Sequence, residues 1–357
     1  MKTKAIWAAL LLPLASCATP STSVPTIDAG AAKVEAREQA EFVINRRRGE
    51  MERVYRVAQR LRAANADLCP RKAGWIGVVA ETQYDYGKDM RAAAISVLGV
   101  AEAPKVTLVS KGGPAERAGL RVGDVITHVN GEPVATGAKA SRDVARKLKI
   151  APGQAEVRIL VDRDGTPVQI VAAPDVVCAY GFTVVDGGDA NAFADGDDVY
   201  IYRGMLKLVE SDEELALVLG HELAHNAMGH IEKQRQNATI GMLGGALLDI
   251  AAAAGGANTN GEFTKMGGQI GAKAFSQDFE SEADYVGVYF MARAGYDMRG
   301  VEQVWRRMAA ENPTAINMGL SHPTTPARYL NITNARTEIQ AKQAAGQPLT
   351  PTLKPAK

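Results

Sequence analysis

The chain has 357 residues, of which 46% are apolar and 23% are charged. That length favours two modules with separate cores, and the composition excludes a largely disordered chain and a protein with many membrane-spanning helices. The 41 Lys and Arg residues against 40 Asp and Glu residues show no basic excess of the kind that nucleic-acid-binding proteins carry. We therefore expect no nucleic-acid partner.

The N-terminus has the pattern of a secretory signal. Two lysines precede a short apolar run that ends in Leu-Ala-Ser-Cys at Cys17, which resembles the bacterial lipobox. The resemblance implies that residues 1–17 are a lipoprotein signal, that Cys17 is acylated, and that the protein faces the periplasm from the outer membrane. A plain signal peptide cut near Ala18 is the alternative. Residues 18–34 have the composition of a flexible tether.

An amphipathic helix is predicted within residues 35–68, because apolar residues between Met51 and Leu61 recur at helical spacing. Seven arginines between positions 46 and 62 occupy other positions. They predict either a solvated helix face or contact with anionic phospholipid beside the lipid anchor.

Residues 91–174 have a different texture, with glycines that separate short β-rich runs. Residues 112–131 resemble a bacterial PDZ domain, which implies a module that binds peptides. By this resemblance, Leu98, Gly99 and Val100 form the loop that captures a peptide's terminal carboxylate while the peptide adds a strand to the sheet edge. A PDZ-like fold used only for packing is the alternative.

Cys69 and Cys178 lie just before and just after this module. In an oxidising compartment the two remaining thiols are expected to form a disulfide. Such a bond would close the base of an inserted domain.

The chemistry is concentrated in a second segment. Ser211 and Glu214 form a capping-box pattern that begins a helix, and this helix contains His221, Glu222 and His225. Two His residues four positions apart project from one helix face, so both imidazoles can bind a single Zn²⁺. Glu222 lies beside them and can accept a proton from a water that the metal activates.

A third metal ligand must come from elsewhere in the chain, because catalytic zinc has three protein ligands and one open position. On a continuous helix His230 would lie about 180° round from His221 and would point away from the metal. Glu280 and Asp284 share a helix face at i and i+4. One carboxylate can bind zinc while the other accepts the N–H of a ligating His. Glu282 is expected to face elsewhere.

Taken together, these motifs resemble a gluzincin of the HtpX, BepA and CAAX-prenyl-endopeptidase family of zinc metallopeptidases. The resemblance covers residues 176–330 and the N-terminal amphipathic helix within residues 35–68, which it assigns to the protease domain. Besides the His and Glu motifs, it rests on Asn-Ala-Phe-Ala at 191–194, Val-Tyr-Ile-Tyr-Arg-Gly at 199–204 and Ser-His-Pro at 321–323.

The family resemblance implies an endopeptidase with one Zn²⁺ per chain. Asn191 and Ala192 would begin an edge strand that pairs with substrate backbone. His322 lies on a loop that, in periplasmic relatives, either blocks the zinc or stabilises the tetrahedral intermediate, and Arg328 would anchor that loop or the oxyanion. The remaining implied roles are zinc binding by His221, His225 and Glu280, proton transfer by Glu222, and orientation of a ligating His by Asp284.

Two further segments carry expectations. The Gly- and Ala-rich run 239–271, apolar around Asp249, predicts a buried helix or a mobile cover over the cleft rather than a membrane span. Residues 331–357 are expected to be a C-terminal tail, disordered after Ala344.

The sequence therefore predicts an α+β protein, with a mainly helical zincin-type metallopeptidase domain, a small edge sheet and an inserted β-rich PDZ-like domain. The expected function is hydrolysis of misfolded or unassembled envelope proteins, recruited by the PDZ-like domain. A periplasmic binding lipoprotein or assembly chaperone with latent or no protease activity is the alternative. The preferred substrate, the oligomeric state and the role of residues 239–271 stay open.

Overall fold

The computed structural model describes residues 21–274, 276–311 and 326–352, and within them helices and small sheets form an α+β architecture. The helices are α1 (Ala29–Ala64), α2 (Lys88–Leu98), α3 (Pro114–Arg117), α4 (Ala140–Lys147), α5 (Arg203–Leu208), α6 (Asp212–Ala227), α7 (His230–Ala254), α8 (Glu262–Lys273), α9 (Ser276–Arg293), α10 (Gln303–Glu311) and α11 (Pro326–Ala344). The strands are β1 (Lys72–Trp75), β2 (Val78–Glu81), β3 (Lys105–Val109), β4 (Val125–Val129), β5 (Glu132–Pro133), β6 (Val157–Arg163), β7 (Thr166–Ala172), β8 (Asp175–Cys178), β9 (Gly181–Val185), β10 (Ala192–Ala194) and β11 (Asp198–Tyr202).

Helix α1 begins earlier than the sequence predicts, inside the expected tether 18–34. The Asp28 side chain accepts a hydrogen bond from the Ala31 backbone N–H at 2.8 Å, and this cap starts the helix. The buried stripe of α1, which includes Val54, Val57 and Leu61, packs into the main hydrophobic core.

The arginines of α1 bind other parts of the protein. Arg53 and Arg56 both contact the Asp212 carboxylate, at 2.9 and 2.7 Å. Arg62 donates to the carbonyl of Cys178 at 2.9 Å, and Arg60 donates to the carbonyl of Ala294 at 2.7 Å. These contacts fasten α1 to the rest of the protein.

An antiparallel sheet in the order β2-β3-β4-β6-β7, with β5 pairing to β4, forms the second module. The module starts at Val78, so the expected start at residue 91 was too late, because the edge strand β2 has only four residues and none of them is fully buried. The β6–β7 hairpin turns at Asp164 and Gly165, both with positive φ, as the Asp-Gly signal predicts.

The base of this module is closed twice. Strand β1 pairs antiparallel with β8, and Cys69 and Cys178 form a disulfide with their Cα atoms 5.5 Å apart. On the opposite side, Ala93, Ala94 and Val100 at the α2 helix pack against Ile44 of α1. The module is thus held at its chain crossings and along the N-terminal helix.

The main core depends on the crossing of α6 and α9. At this crossing a Cβ on Gly220 would lie 3.0 Å from the carbonyl oxygen of Gly287, and a Cβ on Gly287 would lie 2.9 Å from the backbone nitrogen of His221. Two glycines therefore let the helix backbones touch. Close to this pair lies a three-stranded sheet in the order β10-β11-β9, with β10 at its edge.

The C-terminal segment is ordered well beyond the position where the sequence analysis placed a tail. Ile332 and Ile339 of α11 are buried in the main core, so residues 331–344 belong to the domain. Beyond Ala344, the carbonyl of Leu349 accepts a hydrogen bond from Arg293 at 3.1 Å. The expectation of disorder is wrong for residues 345–352, because they pack on α9.

The segment 239–271 forms two helices, α7 and α8, joined as an antiparallel hairpin. Of the α7 residues, only His230 and Gly245 are buried. The alternative of a buried helix is therefore wrong.

The glycine contact at the α6–α9 crossing predicts an asymmetric response to added methyl groups. Gly287→Ala should lower the free energy of unfolding by about 1–3 kcal/mol, because its Cβ would overlap the α6 backbone. Gly244→Ala, in helix α7 where a Cβ meets open space, should be neutral or stabilising. Urea denaturation of both variants tests this, and equal stabilities would contradict the close crossing.

Candidate metal centre

Helix α6 carries the two His residues through the centre of the protein. The Ser211 hydroxyl accepts a hydrogen bond from the Glu214 backbone N–H at 3.2 Å, which caps the helix as its sequence predicts. From Glu214 to Ala227 every residue is buried. A helix enclosed on all sides holds its side chains in fixed rotamers, which suits a site that needs defined geometry.

Three donor atoms meet between α6 and α9. The Nε2 atoms of His221 and His225 lie 3.1 Å apart, and the Glu280 carboxylate oxygens lie 3.4 and 3.3 Å from them. All three residues are buried and can offer one ligand atom each to a single ion. The two carboxylate distances belong to different oxygens, Oε2 of Glu280 towards His221 and Oε1 towards His225.

The separation of these residues is compatible with zinc. Ligands about 2.0–2.1 Å from a tetrahedral ion are separated by roughly 3.3–3.4 Å, and the nearest donor atoms of the three residues lie 3.1–3.4 Å from one another. Two imidazoles and one carboxylate are also a donor set that zinc accepts while keeping a position for water.

The charge of the cluster also fits a divalent cation. Among its described residues, the buried carboxylates of Glu222, Glu280 and Asp284 face the guanidinium of Arg328. Three carboxylates against one guanidinium give this part of the cluster a negative potential, which attracts a cation.

Asp284 and Arg328 form a rigid layer behind the ligands. Asp284 lies 3.0 Å from Nδ1 of His221 and accepts two Arg328 hydrogen bonds at 2.8 and 2.7 Å. Arg328 also lies 3.3 Å from Glu280 and 4.4 Å from the centre of the Trp305 ring. A two-point Arg–carboxylate pair of this kind fixes both partners, so Arg328 braces the ligand carboxylate from inside the protein.

The surroundings of His221 and His225 shift their imidazole pKa values in opposite directions. Burial and the Arg328 charge lower the pKa of His221, but hydrogen bonds with Asp284 and Glu280 outweigh them and raise it to about 9. Burial lowers the pKa of His225 to about 4. The carboxylates that raise the first of these pKa values also create the negative potential that attracts a metal cation.

His230 does not point away, as the sequence analysis expected. Helix α6 ends at Ala227, Gly229 takes φ of 67°, and His230 begins a new helix. The chain therefore turns back, and Nδ1 of His230 lies 3.0 Å from Nδ1 of His225. The error came from treating α6 as continuous.

The contacts of His230 continue outward. Its Nε2 lies 2.8 Å from the Glu282 carboxylate, and its ring stacks on Phe279 at 4.7 Å. If Nε2 of His225 faces the ion, its Nδ1–H donates to His230, and the Nε2–H of His230 then donates to Glu282. Glu282, which was expected to face elsewhere, thus completes a chain that fixes the tautomer of His225.

The other predicted site residues lie farther from this centre. Ala192 begins β10 at the edge of its sheet, and the carbonyl of Asn191 accepts a hydrogen bond from the Tyr202 backbone at 3.0 Å. The predicted positions Cys17 and His322 lie outside the described residues.

The structure contradicts the carboxylate-binding loop at residues 98–100. Leu98 ends α2, Gly99 donates its backbone N–H to the carbonyl of Ile95 at 2.9 Å, and Val100 is buried against α1. The central N–H of this loop, that of Gly99, is therefore used to end a helix and does not face an anion. Strand β2, which provides the sheet edge, is preceded by a different turn at Ile76 and Gly77.

Comparison with known proteins agrees with this organisation. Residues 156–336, just over half of the chain, match peptidase family M48, and residues 105–163 match the PDZ domain. The chain therefore belongs to peptidase family M48.

Three curated relatives illustrate the similarity. A beta-barrel assembly-enhancing protease of Yersinia pestis is 29% identical over 49% of this chain and 38% of that protein. A putative beta-barrel assembly-enhancing protease of Vibrio cholerae serotype O1 is 33% identical over 47% of this chain and 36% of its own length. The mitochondrial metalloendopeptidase OMA1 of Schizosaccharomyces pombe is 30% identical over 43% of this chain and 45% of that protein. The chain thus spans less than half the length of these relatives.

The hydrogen bonds that link His225 through His230 to Glu282 predict an effect on metal affinity. His230→Phe keeps the ring packing but removes the partner of His225, and zinc affinity should fall about 10–100-fold. Glu282→Gln should give a smaller loss in the same direction. Competition with a chromophoric chelator measures both.

Glu232→Gln is the matched control, because Glu232 is exposed on the same helix α7. Its zinc affinity should equal that of the parent protein. Unchanged zinc affinity in His230→Phe would show that these hydrogen bonds do not hold the His225 ring in place.

Proposed function

We propose that this M48 peptidase is a zinc metalloendopeptidase of the bacterial envelope that hydrolyses misfolded or unassembled envelope proteins. The observation that carries the proposal is the buried triangle of His221, His225 and Glu280, with Glu222 in the same turn of α6. The names of the relatives from Yersinia pestis and Vibrio cholerae, which refer to a protease and to beta-barrel assembly, support the envelope as the place of action.

In the proposed mechanism His221, His225 and Glu280 would hold the zinc ion. When bound, zinc polarises the scissile carbonyl and lowers the pKa of a water molecule towards about 7. Glu222 takes the proton from the attacking water and delivers it to the leaving amine. Asp284 and Arg328 keep the His221 ring and the Glu280 carboxylate in place during these steps.

The substrate would bind as an extended strand along β10. This strand lies at the edge of its sheet, paired to β11 on one side. A peptide can add to such an edge through backbone hydrogen bonds, which makes binding tolerant of sequence. That tolerance suits an enzyme that acts on unfolded chains.

The PDZ module would capture free C-termini at the turn before β2. The carbonyls of Ile76 and Gly77 accept hydrogen bonds from Ala115 and Ser110, both at 2.8 Å. In trans peptides the N–H groups of Gly77 and Val78 point the opposite way, so they can bind a carboxylate. Helix α4 packs beside β2 and would form the other wall of the groove.

Localisation follows from the N-terminal motif. Acylation of Cys17 would attach the protein to a membrane, with the metallopeptidase and PDZ modules in the periplasm. A disulfide between Cys69 and Cys178 suits that oxidising compartment.

The role of Glu222 gives the central test. Glu222→Gln should keep one zinc per chain and lose about 10²–10⁴-fold in the rate of casein cleavage, because the proton acceptor is removed. Zinc content by elemental analysis and cleavage by gel assay measure the two properties. Glu213→Gln, in the first turn of the same helix, is the control and should match the parent.

The outcomes separate the two candidate functions. Casein cleavage at the parental rate by Glu222→Gln would remove Glu222 from the reaction. Bound zinc with no cleavage in the parent protein would favour the alternative of a binding lipoprotein or chaperone.

The PDZ assignment predicts which turn binds a carboxylate. Gly77→Ala should weaken binding of a peptide with a free C-terminus about tenfold, because a Cβ there would lie 2.6 Å from the Trp75 ring. Gly99→Asn, which keeps the left-handed backbone conformation, should have no effect. Fluorescence anisotropy with free and amidated peptides measures this, and the reverse pattern would restore the loop at 98–100.

A further inference from the structure

Helices α7 and α8 contact each other through their backbones. A Cβ on Gly241 would lie 2.0 Å from the carbonyl oxygen of Gly267, and a Cβ on Gly245 would lie 2.0 Å from that of Phe263. A Cβ on Gly271 would lie 2.1 Å from the carbonyl oxygen of Asn237. Glycines four residues apart on both helices thus form the seam, a packing mode that is common between helices in lipid.

Because glycines occupy the seam, the large apolar side chains of the hairpin point outward. A soluble helical hairpin normally does the reverse and buries such residues between its helices. Seven of these side chains are 50–69% exposed and form what we term the outer apolar face: Ile240, Leu243, Leu247, Leu248, Ile250, Met266 and Ile270.

The tip of the hairpin, residues 246–261, contains a single ionisable residue, Asp249. Its carboxylate accepts hydrogen bonds from the Thr259 hydroxyl, the Thr264 hydroxyl and backbone, and the Phe263 backbone. The hydrogen bonds from Thr259 and Thr264 lower the pKa of Asp249 to about 2. The one charge of the tip is therefore bound within the hairpin.

Outside the tip the hairpin carries an excess of basic side chains, which we term the basic collar. Lys233, Arg235, Lys265 and Lys273 are exposed, against the exposed Glu232 and Glu262, and Lys265 lies 3.3 Å from Glu262. An apolar tip beyond a basic collar is complementary to acyl chains beneath anionic headgroups. A symmetric contact with a second copy would instead bring two basic collars together.

We propose that the outer apolar face of the α7–α8 hairpin inserts into a bilayer that contains anionic lipid. Among the described residues, α7 is the one helix that is both long enough and apolar enough to cross a membrane, judged by length and composition. Helix α8, with 12 residues, reaches only about 18 Å against a hydrocarbon core of about 30 Å. The hairpin therefore enters one side of the bilayer and does not cross it.

Insertion would also set the position of the metal centre. Helix α7 begins at His230, beside the ligand His225, and runs for 25 residues. The ten residues of α7 between His230 and the outer apolar face span about 15 Å, so an inserted hairpin holds the candidate metal centre about that far from the membrane. This places the cleft where chains emerging at the bilayer can reach it.

The test uses the full chain with a single environment-sensitive fluorophore. Leu247→Cys carries it on the outer apolar face, and Val122→Cys carries it at a similarly exposed apolar position, 50% exposed, in the PDZ module. A lipid anchor attaches both proteins equally, so a difference between the two labels reports the hairpin. The probes are phosphatidylethanolamine–phosphatidylglycerol vesicles and pure phosphatidylcholine vesicles.

With anionic vesicles, the emission of the Leu247→Cys label should shift to the blue and become at least about twofold brighter. Brominated lipids should quench this emission. The emission of the Val122→Cys label should not change. Adding Leu243→Glu and Ile250→Glu should abolish the shift, whereas adding Val171→Glu should leave it. Lys265→Glu with Lys273→Glu should weaken the dependence on anionic lipid.

Two outcomes would overturn the proposal. One is that vesicles leave the emission of the label at residue 247 as unshifted as the emission of the label at residue 122. The other is a blue shift that needs high protein concentration and no vesicles, which would assign the face to a second copy of the chain. Circular dichroism of each variant confirms that the helices are intact.

Discussion

Helices α6 and α9 can touch backbone to backbone only because each presents a glycine at the crossing point. Gly287 lies on the same face of α9 as Asp284 and Glu280, one and two turns away. A close crossing at Gly287 therefore brings both carboxylates against the imidazoles of α6, and the contacts of 3.0–3.4 Å between them follow. A wider crossing would place the carboxylates beyond the reach of a single ion.

The same crossing buries the charged carboxylates of α9, and other side chains contact the buried cluster on two sides. Arg328 binds Asp284 and Glu280 behind the ligands, and the residual negative charge suits a divalent cation. On the other side His230 links His225 to Glu282. Removing any one charge would leave another buried without compensation, so we expect metal binding and folding stability to be coupled.

The PDZ module and the α7–α8 hairpin are stabilised by different kinds of contact. The PDZ module is clamped by β1–β8 pairing, the disulfide and the packing of α2 on α1, so its orientation relative to the cleft is defined. The α7–α8 hairpin has a glycine seam and an apolar exterior, and lipid is the surrounding that we propose for it. One element would select chain ends, and the other would select the place where cleavage occurs.

The sequence by itself determined what depends on local spacing. The capping Ser211, the His pair four residues apart and the Asp-Gly hairpin could all be predicted, since helix periodicity and turn chemistry act within a few residues. The role of His230 could not, because a single positive φ at Gly229 reverses the chain. The mistaken loop at Gly99 and the buried-helix alternative for α7 failed for a related reason. Whether an N–H is already used, or an apolar face is covered, depends on partners distant in sequence, and only the tertiary structure decides that.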